Sequence, residues 1–359
     1  MSRKLASVQE ITEVRPIQGK DRIVLATVLG WHVIVQKSDF NVGTKCVYVE
    51  IDSVLPEKEE FEFLRSKNFR IKTMKMAGTI SEGICFPMSL LPIGKNYNIG
   101  DDVTDILGIK QYEPEMDNDR EVKSVNAKKY PKFLMRFRWF RNIVCKNKKE
   151  NKGFPNFISK TDETRVQEIP WILESKDKYV LTEKVDGQSG TFVLVKHKGM
   201  FGKIKYEYMV CSRNLRLWGK GNQSYWFVSD KYKIENVLKN IIGDNEWVAI
   251  QGECVASNVQ GNKYNVDSPD LYVFNLIYPD GRVGSLEAKK IMGDNGMKFV
   301  PIISESSELP STVEDMLKLA HGNSALNPKS LREGLVCRTI DGKRSFKAVD
   351  PLFLIKYQK

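Results

Sequence analysis

The run Glu183-Lys184-Val185-Asp186-Gly187 places an amine, a carboxylate and a glycine within a few residues of one another. A lysine at the end of a strand is a candidate covalent nucleophile if its surroundings hold it neutral. An aspartate two residues on can orient that amine or help to hold a divalent cation. The glycine beside it permits a tight turn and a close approach of backbone to a phosphate. The same residues suit the solvated tip of a hairpin, and so short a motif does not choose between the two. Further clusters follow in order: Ser212-Arg213-Asn214, Gln251-Gly252-Glu253, Tyr272-Val273-Phe274-Asn275, Arg332-Glu333-Gly334-Leu335-Val336 and Ser345-Phe346-Lys347. Glu253 and Glu333 stand beside glycines at strand ends, unlike most structural carboxylates. Phe274 fits either core packing or a stacking role.

Two strands must present Lys184. Tyr179, Val180 and Leu181 form an apolar run that leads in, and the alternating residues 191–195 lead out. Val248, Ala249 and Ile250, and residues 271–278, read as buried strands. Ile234, Val237, Leu238, Ile241 and Ile242 mark an amphipathic helix ended by Gly243. Ser311-Thr312-Val313-Glu314 fits a capping box that opens a helix through Met316, Leu317 and Ala320. Residues 159–173 read as a short helix stopped near Pro170. Upstream, residues 4–113 read as short strands between turns, at 22–28, 31–35, 45–51, 69–76 and 84–86. That spacing suggests a small barrel of the OB type, with Arg70, Lys72 and Lys75 on a basic face. Taken singly, each of these three also fits an ordinary solvated strand. The expected fold class is α+β: an N-terminal OB-like β-barrel, then an α+β domain with antiparallel sheets. Alternating strand and helix signals and a Gly-x-Gly-x-x-Gly loop, the marks of a doubly wound sheet, are missing.

The net charge of +11 on 359 residues is concentrated. Residues 123–152 hold eight lysines and three arginines against Glu150 alone, a net +10. Tyr130, Phe133, Phe137, Trp139 and Phe140 are interleaved with these cations, a mixture that contacts phosphates and stacks on bases. Phe133, Phe137 and Phe140 also have helical spacing, and a basic aromatic segment can lie on a membrane surface. A polyanionic partner, nucleic acid first, is the inference. The six cysteines are scattered without Cys-x-x-Cys spacing, so zinc sites and a disulfide framework are unsupported. A reducing intracellular compartment, the cytoplasm, fits this usage. No run is long enough for a membrane span, and the amino terminus lacks a signal peptide's apolar core. The organisation expected is an OB-like domain at 1–115, a basic linker at 116–153 and a nucleotidyltransferase domain at 154–359.

The motifs from Lys184 to Lys347, in this order, resemble the covalent nucleotidyltransferase superfamily of ATP-dependent ligases and capping enzymes. Within it the chain most resembles RNA ligases of the Naegleria type, which carry their OB domain at the amino end. Arg70-Ile71-Lys72-Thr73, Gly78, Ser81-Glu82-Gly83 and residues 157–162 add to the likeness, which covers all but the basic insert. The resemblance implies that Lys184 attacks the α-phosphorus of ATP and carries AMP, aided by Lys347. It implies that Asp186, Glu253 and Glu333 hold Mg2+ or Mn2+, largely through water. By the same token Phe274 stacks on adenine, Arg213 contacts the sugar or incoming phosphate, and Glu183 and Gly187 belong to the nucleotide site. The RNA 5′-phosphate is then adenylylated and sealed to a 3′-hydroxyl, by a monomer. Two departures stand out. Asn275 replaces the usual aspartate after the aromatic residue, and Ser345 replaces the first lysine of a Lys-x-Lys pair, as in the Naegleria type. A DNA ligase or mRNA-capping guanylyltransferase would place its OB domain last, whereas only 12 residues follow Lys347. An inactive nucleic-acid-binding protein is opposed by the intact Lys184, Asp186, Glu253, Glu333 and Lys347.

Overall fold

Residues 4–112, 153–199, 203–218, 224–257 and 259–357 are described by the structure, a computed structural model. The basic stretch 123–152, with its aromatic spacing, lies outside the described residues. Strands β1 (Ala6–Ile17), β2 (Lys20–Val28), β3 (Trp31–Gln36), β4 (Lys45–Val49) and β5 (Ile84–Pro87) form an antiparallel sheet in the order β3-β2-β1-β4-β5. Alternation builds it: Val24, Ala26 and Val28 on β2, and Trp31, Val33 and Val35 on β3, all turn to one core. β1 serves both halves of the barrel because its register slips between Ile11 and Glu13, a bulge that bends the strand. The OB-like barrel is therefore present. Residues 69–76 do not form the single strand their alternation suggests. Asn68 and Phe69 are left-handed, with φ of +50° and +55°, and end the 3-10 turn Glu59–Lys67. Only Met74–Met76 is paired as a strand, with Thr79–Ser81.

The second half contains β6 (Tyr179–Glu183), β7 (Gln188–Lys198), β8 (Ile204–Cys211), β9 (Trp247–Val255), β10 (Asp270–Tyr278), β11 (Ile302–Ser307), β12 (Gly334–Thr339) and β13 (Ser345–Val349). They fall into two sheets, β11-β6-β12-β13 and a larger one centred on β8-β7-β9-β10. Among the described residues pairing is antiparallel, apart from Lys298–Phe299 beside β10 and an isolated parallel bridge from Arg165 to Lys347. β6 and β7 belong to different sheets, so the Lys184 turn is a crossing between sheets and not a hairpin tip. Helices Ser224–Lys231 and Ile234–Ile241 bury Tyr225, Val228, Ile234 and Leu238 against Phe192, Leu194 and Ile250 of the larger sheet. Helix Val313–Ala320 packs Met316 and Ala320 on the smaller sheet. Its cap is Thr312, whose Oγ1 accepts from the Asp315 amide at 3.1 Å, one residue later than the Ser311–Glu314 pairing suggests.

In place of one helix over 159–173, the chain makes two 3-10 turns, Val166–Glu168 and Pro170–Glu174. Pro170 opens the second turn, where its missing N–H is no loss. The two halves are joined through β13, which runs into helix Pro351–Tyr357. Phe353 and Leu354 of that helix lie in the barrel's own core cluster. The Gly30 amide also donates to Gln167 O at 2.8 Å across the seam. No helix among the described residues is long and apolar enough to cross a membrane.

Candidate active site

The turn from β6 to β7 spans the cleft between the two sheets and is pinned on both sides. The Lys184 amide donates to Gly334 O on β12 at 3.0 Å. The Gly187 amide donates to Glu253 Oε1 on β9 at 3.1 Å. A Cβ on Gly187 would stand 2.5 Å from Cys254 O, so glycine is required here by β9 itself. The Asp186 amide donates to the Tyr264 hydroxyl at 2.6 Å. Lys184 Nζ then reaches Glu333 Oε2 at 2.6 Å.

Lys184, Asp186, Glu253 and Glu333 act on one another electrostatically. Burial opposes charge on Lys184, but Glu333, Glu253 and Asp186 outweigh it and raise its pKa. The amine is thus held as an ammonium, the opposite of what nucleophilic attack needs. Burial pushes Glu253 up to about 8, partly offset by Lys184. Burial and then Glu333 push Asp186 up to about 6, against the pull of Lys263. The carboxylates here are more than the neighbouring cations satisfy. That donor set fits a divalent cation. Among the described residues no three His, Cys, Asp or Glu side chains converge on one point. The fit is therefore to an ion held through its waters, as magnesium prefers.

Lys347 projects from β13, and its Nζ donates to Asp162 Oδ1 at 2.8 Å. Arg213 Nη2 donates to the other oxygen of Asp162 at 3.1 Å. One carboxylate thus aligns the two cations that sequence spacing singled out. Burial lowers the pKa of Lys347 to about 8; Asp162 resists this, while Arg165 and Lys184 add to it. Arg165 is buried and bonds Asp52 of the barrel at 3.4 Å.

Phe274 reaches the cleft through a bulge. Gln251 pairs with Asn275 and Gly252 with Val273, which leaves Phe274 as the extra residue on β10. A bulge of this kind re-aims a side chain. Phe274 lies in the cavity wall with Val336, and the buried Arg338 guanidinium is 6.0 Å from its ring centroid. Arg338 Nη2 donates to Glu163, which also holds Arg282 and Ser345. Asn275 points away from the cavity, its Nδ2 donating to Gln251 Oε1 at 2.8 Å. Glu183 is buried and accepts from the Ala325 amide at 2.7 Å, so one oxygen braces a loop.

All nine sequence-predicted residues, Glu183, Lys184, Asp186, Gly187, Arg213, Glu253, Phe274, Glu333 and Lys347, line one cavity of about 810 Å3. Asp52, Arg70 and Tyr112 of the barrel close one side of it. Sequence reasoning assigned no role to Asp162, Glu163, Arg165, Lys263, Tyr264 or Arg338. The spacing Thr161-Asp162-Glu163-x-Arg165, charged residues ahead of β6, is the signal that marks three of them.

Comparison with known proteins agrees with this arrangement. An OB-fold domain model matches residues 5–88, and an RNA ligase model matches residues 177–357. Naegleria gruberi RNA ligase, in a point variant with ATP and Mn, is 31% identical with a TM-score of 0.80, covering 99% of this chain and 100% of that one. The same ligase with pyrophosphate is 32% identical, TM-score 0.80, with 99% of each chain covered. A variant with AMP and Mn gives the same values. No curated protein matches the chain. The matching family model and structures put this barrel and two-sheet domain in the class of ligases. The chain belongs to the RNA ligase family.

Proposed function

We propose that this protein is an ATP-dependent ligase that seals RNA 5′-phosphate ends to 3′-hydroxyl ends through AMP carried on Lys184. The observation that carries the reading is the carboxylate cage of Lys184 in the cleft, with Lys347 near enough to share its field. The ATP, AMP, pyrophosphate and Mn of the Naegleria gruberi complexes support it.

Lys184 first gives its extra proton to a neighbouring carboxylate, Glu333 being in contact. Its Nζ attacks the α-phosphorus of ATP, a P–N bond forms, and the bond to pyrophosphate breaks. Lys347, aligned by Asp162, balances charge on the α-phosphate. Phe274 stacks on adenine, Arg213 meets the sugar or the incoming phosphate, and Glu183 and Gly187 complete the nucleotide wall. Asp186, Glu253 and Glu333 would hold Mg2+ or Mn2+, largely through its waters. The bound ion supplies positive charge that lowers the proton affinity of Lys184 and screens the phosphate. An RNA 5′-phosphate oxygen then attacks the AMP phosphorus and the P–N bond breaks. Finally the 3′-hydroxyl oxygen attacks the 5′-phosphate phosphorus, its proton passes to solvent, and the bond to AMP breaks so that AMP leaves. Residues 154–359 carry this chemistry, and residues 1–115 with the basic linker 116–153 hold RNA.

Incubation with α-labelled ATP and a divalent ion, read on a denaturing gel, tests the first step. Lys184→Ala loses the label yet still joins pre-adenylylated RNA, a step that bypasses the amine. Label retained at the wild-type level would show that Lys184 is not the carrier. Nicked RNA and nicked DNA offered in parallel distinguish the substrate.

A further inference from the structure

Lys263 belongs to none of the motifs above, yet it is built into the site. Its Nζ is ion-paired to Asp186 Oδ2, and the two side chains are only 10% and 15% exposed. Two neighbouring rings of the helix Pro351–Tyr357 stand on one side of the ammonium, with centroids 5.1 Å (Phe353) and 5.0 Å (Tyr357) away. Aromatic faces so placed stabilise a cation.

The loop that presents it is equally fixed. Lys263 O accepts from Asn327 Nδ2 at 2.7 Å and from Ser330 Oγ at 3.0 Å. The next residue, Tyr264, receives the Asp186 amide. Asn262 closes the turn by bonding both the amide and the carbonyl of Val266, at 2.9 and 3.1 Å. Gln260, Asn262 and Asn265 take φ of +48°, +49° and +52°, a backbone state uncommon outside glycine. A loop that adopts three such residues and ties them down is shaped to deliver one side chain. That side chain ends on a carboxylate proposed above to share the divalent ion.

We propose that Lys263 is a positioning residue that occupies Asp186 until nucleotide arrives, so that the divalent ion enters with ATP and not ahead of it. The inference rests on the role proposed above for Asp186. An ammonium and a hydrated metal compete for the same carboxylate because each needs its negative charge. ATP supplies the exchange: its phosphates enter the cavity that Lys263 also lines and offer the ammonium another anion. Lysine suits this transfer, being a compact charge on a flexible four-carbon stem.

The test is Mn2+ binding by the full-length protein without nucleotide, read as loss of the free-ion signal in electron paramagnetic resonance. Lys263→Met keeps an unbranched apolar stem beside the two rings and removes the charge. It should bind Mn2+ about tenfold more tightly than wild type, the scale of one opposite charge at close range. The gain should shrink when ATP is present and vanish in the Lys263→Met, Asp186→Asn double variant. Lys263→Arg keeps a cation and should bind Mn2+ as wild type does; melting curves for each variant verify the fold. Equal Mn2+ affinity in wild type and folded Lys263→Met overturns the proposal. So does a gain that survives in the double variant. If Asp186→Asn alone leaves Mn2+ affinity with ATP unchanged, the role of Asp186 fails first, and that result separates the two.

Discussion

Asp162 illustrates how a residue given no role from sequence can set the behaviour of one that was given a role. It holds Lys347 and Arg213 on its two oxygens. Burial has already brought Lys347 down to about 8, and Asp162 is the group that resists this fall. An ammonium that must be charged to meet a phosphate is lost as pH rises through its pKa. Labelling of Lys184 should therefore decline on the alkaline side of about pH 8. Asp162→Asn removes the favourable charge, so that decline should move to lower pH, with a loss in rate of about tenfold or more at neutral pH. Single-turnover adenylylation across pH measures this, and an unmoved alkaline limb would refute the coupling. The motif residues are legible in the sequence because each cluster brings its own chemical type at a strand end. Asp162, Lys263 and Arg338 are not, because their partners lie 185, 77 and 175 residues away in sequence. Local spacing can mark such a residue, as it does Asp162, without naming so distant a partner.

Elements place Lys184 through close contacts more than through turn flexibility. Sequence alone accounts for Gly187 as the glycine of a tight turn. In the fold it is the position where β7 departs against the Cys254 carbonyl. Gly187→Ala sets a Cβ 2.5 Å from that oxygen, so either β9 or the Lys184 turn must move. Such overpacking costs about 1–3 kcal/mol. The variant should melt several degrees lower, at roughly 2–4 °C per kcal/mol for a chain of this scale. It should also lose most adenylylation at temperatures where it is still folded. Ser189→Ala removes only the 3.0 Å bond from its hydroxyl to Glu253 and should fall far less on both measures. Phe274→Ala should raise the KM for ATP about tenfold, since stacking on one base is worth ~1–3 kcal/mol. The strands around these residues are legible because their apolar periodicity is local. The bulge at Phe274 and the separation of β6 from β7 are not. Both depend on which strand pairs with which, and two consecutive strands with turn residues between them look like a hairpin in either case.

At the scale of the whole molecule, the seam between the barrel and the two-sheet half is polar and tight. Glu82 is buried beside it at 2% exposure, and its Oε1 has no hydrogen-bond partner among the described residues. Burial raises its pKa from 4.5 to about 7, against the opposing charge of Arg165 on the catalytic side. The folded value is above the unfolded one, so the protonated form is the one that folding favours. Its contribution to stability is complete below about 4.5 and is lost as pH rises through about 7. The loss is on the order of 3 kcal/mol, since each tenfold change in proton affinity is worth about 1.4 kcal/mol. Glu82→Gln keeps the shape and removes the charge. It should melt several degrees above wild type on the alkaline side of about pH 7, and the difference should shrink steadily towards about pH 4.5. A difference that stays constant with pH would show that Glu82 does not titrate in this range. The basic segment 123–152 calls for a separate measurement, because its net +10 lies outside the described residues and outside every transfer motif. Its expected role is to hold RNA while the cleft handles ATP. Phosphate contacts release counterions, so log K should fall by about 0.7 per contacted phosphate for each decade of salt on single strands. Neutralising Lys128, Lys129, Lys132, Arg136, Arg138 and Arg141 together should flatten that slope and weaken sealing, with labelling of Lys184 nearly unchanged. RNA affinity against salt, with adenylylation in parallel, decides it: equal slopes remove the segment from the RNA surface, and a joint loss of both activities reassigns it to packing the two halves together.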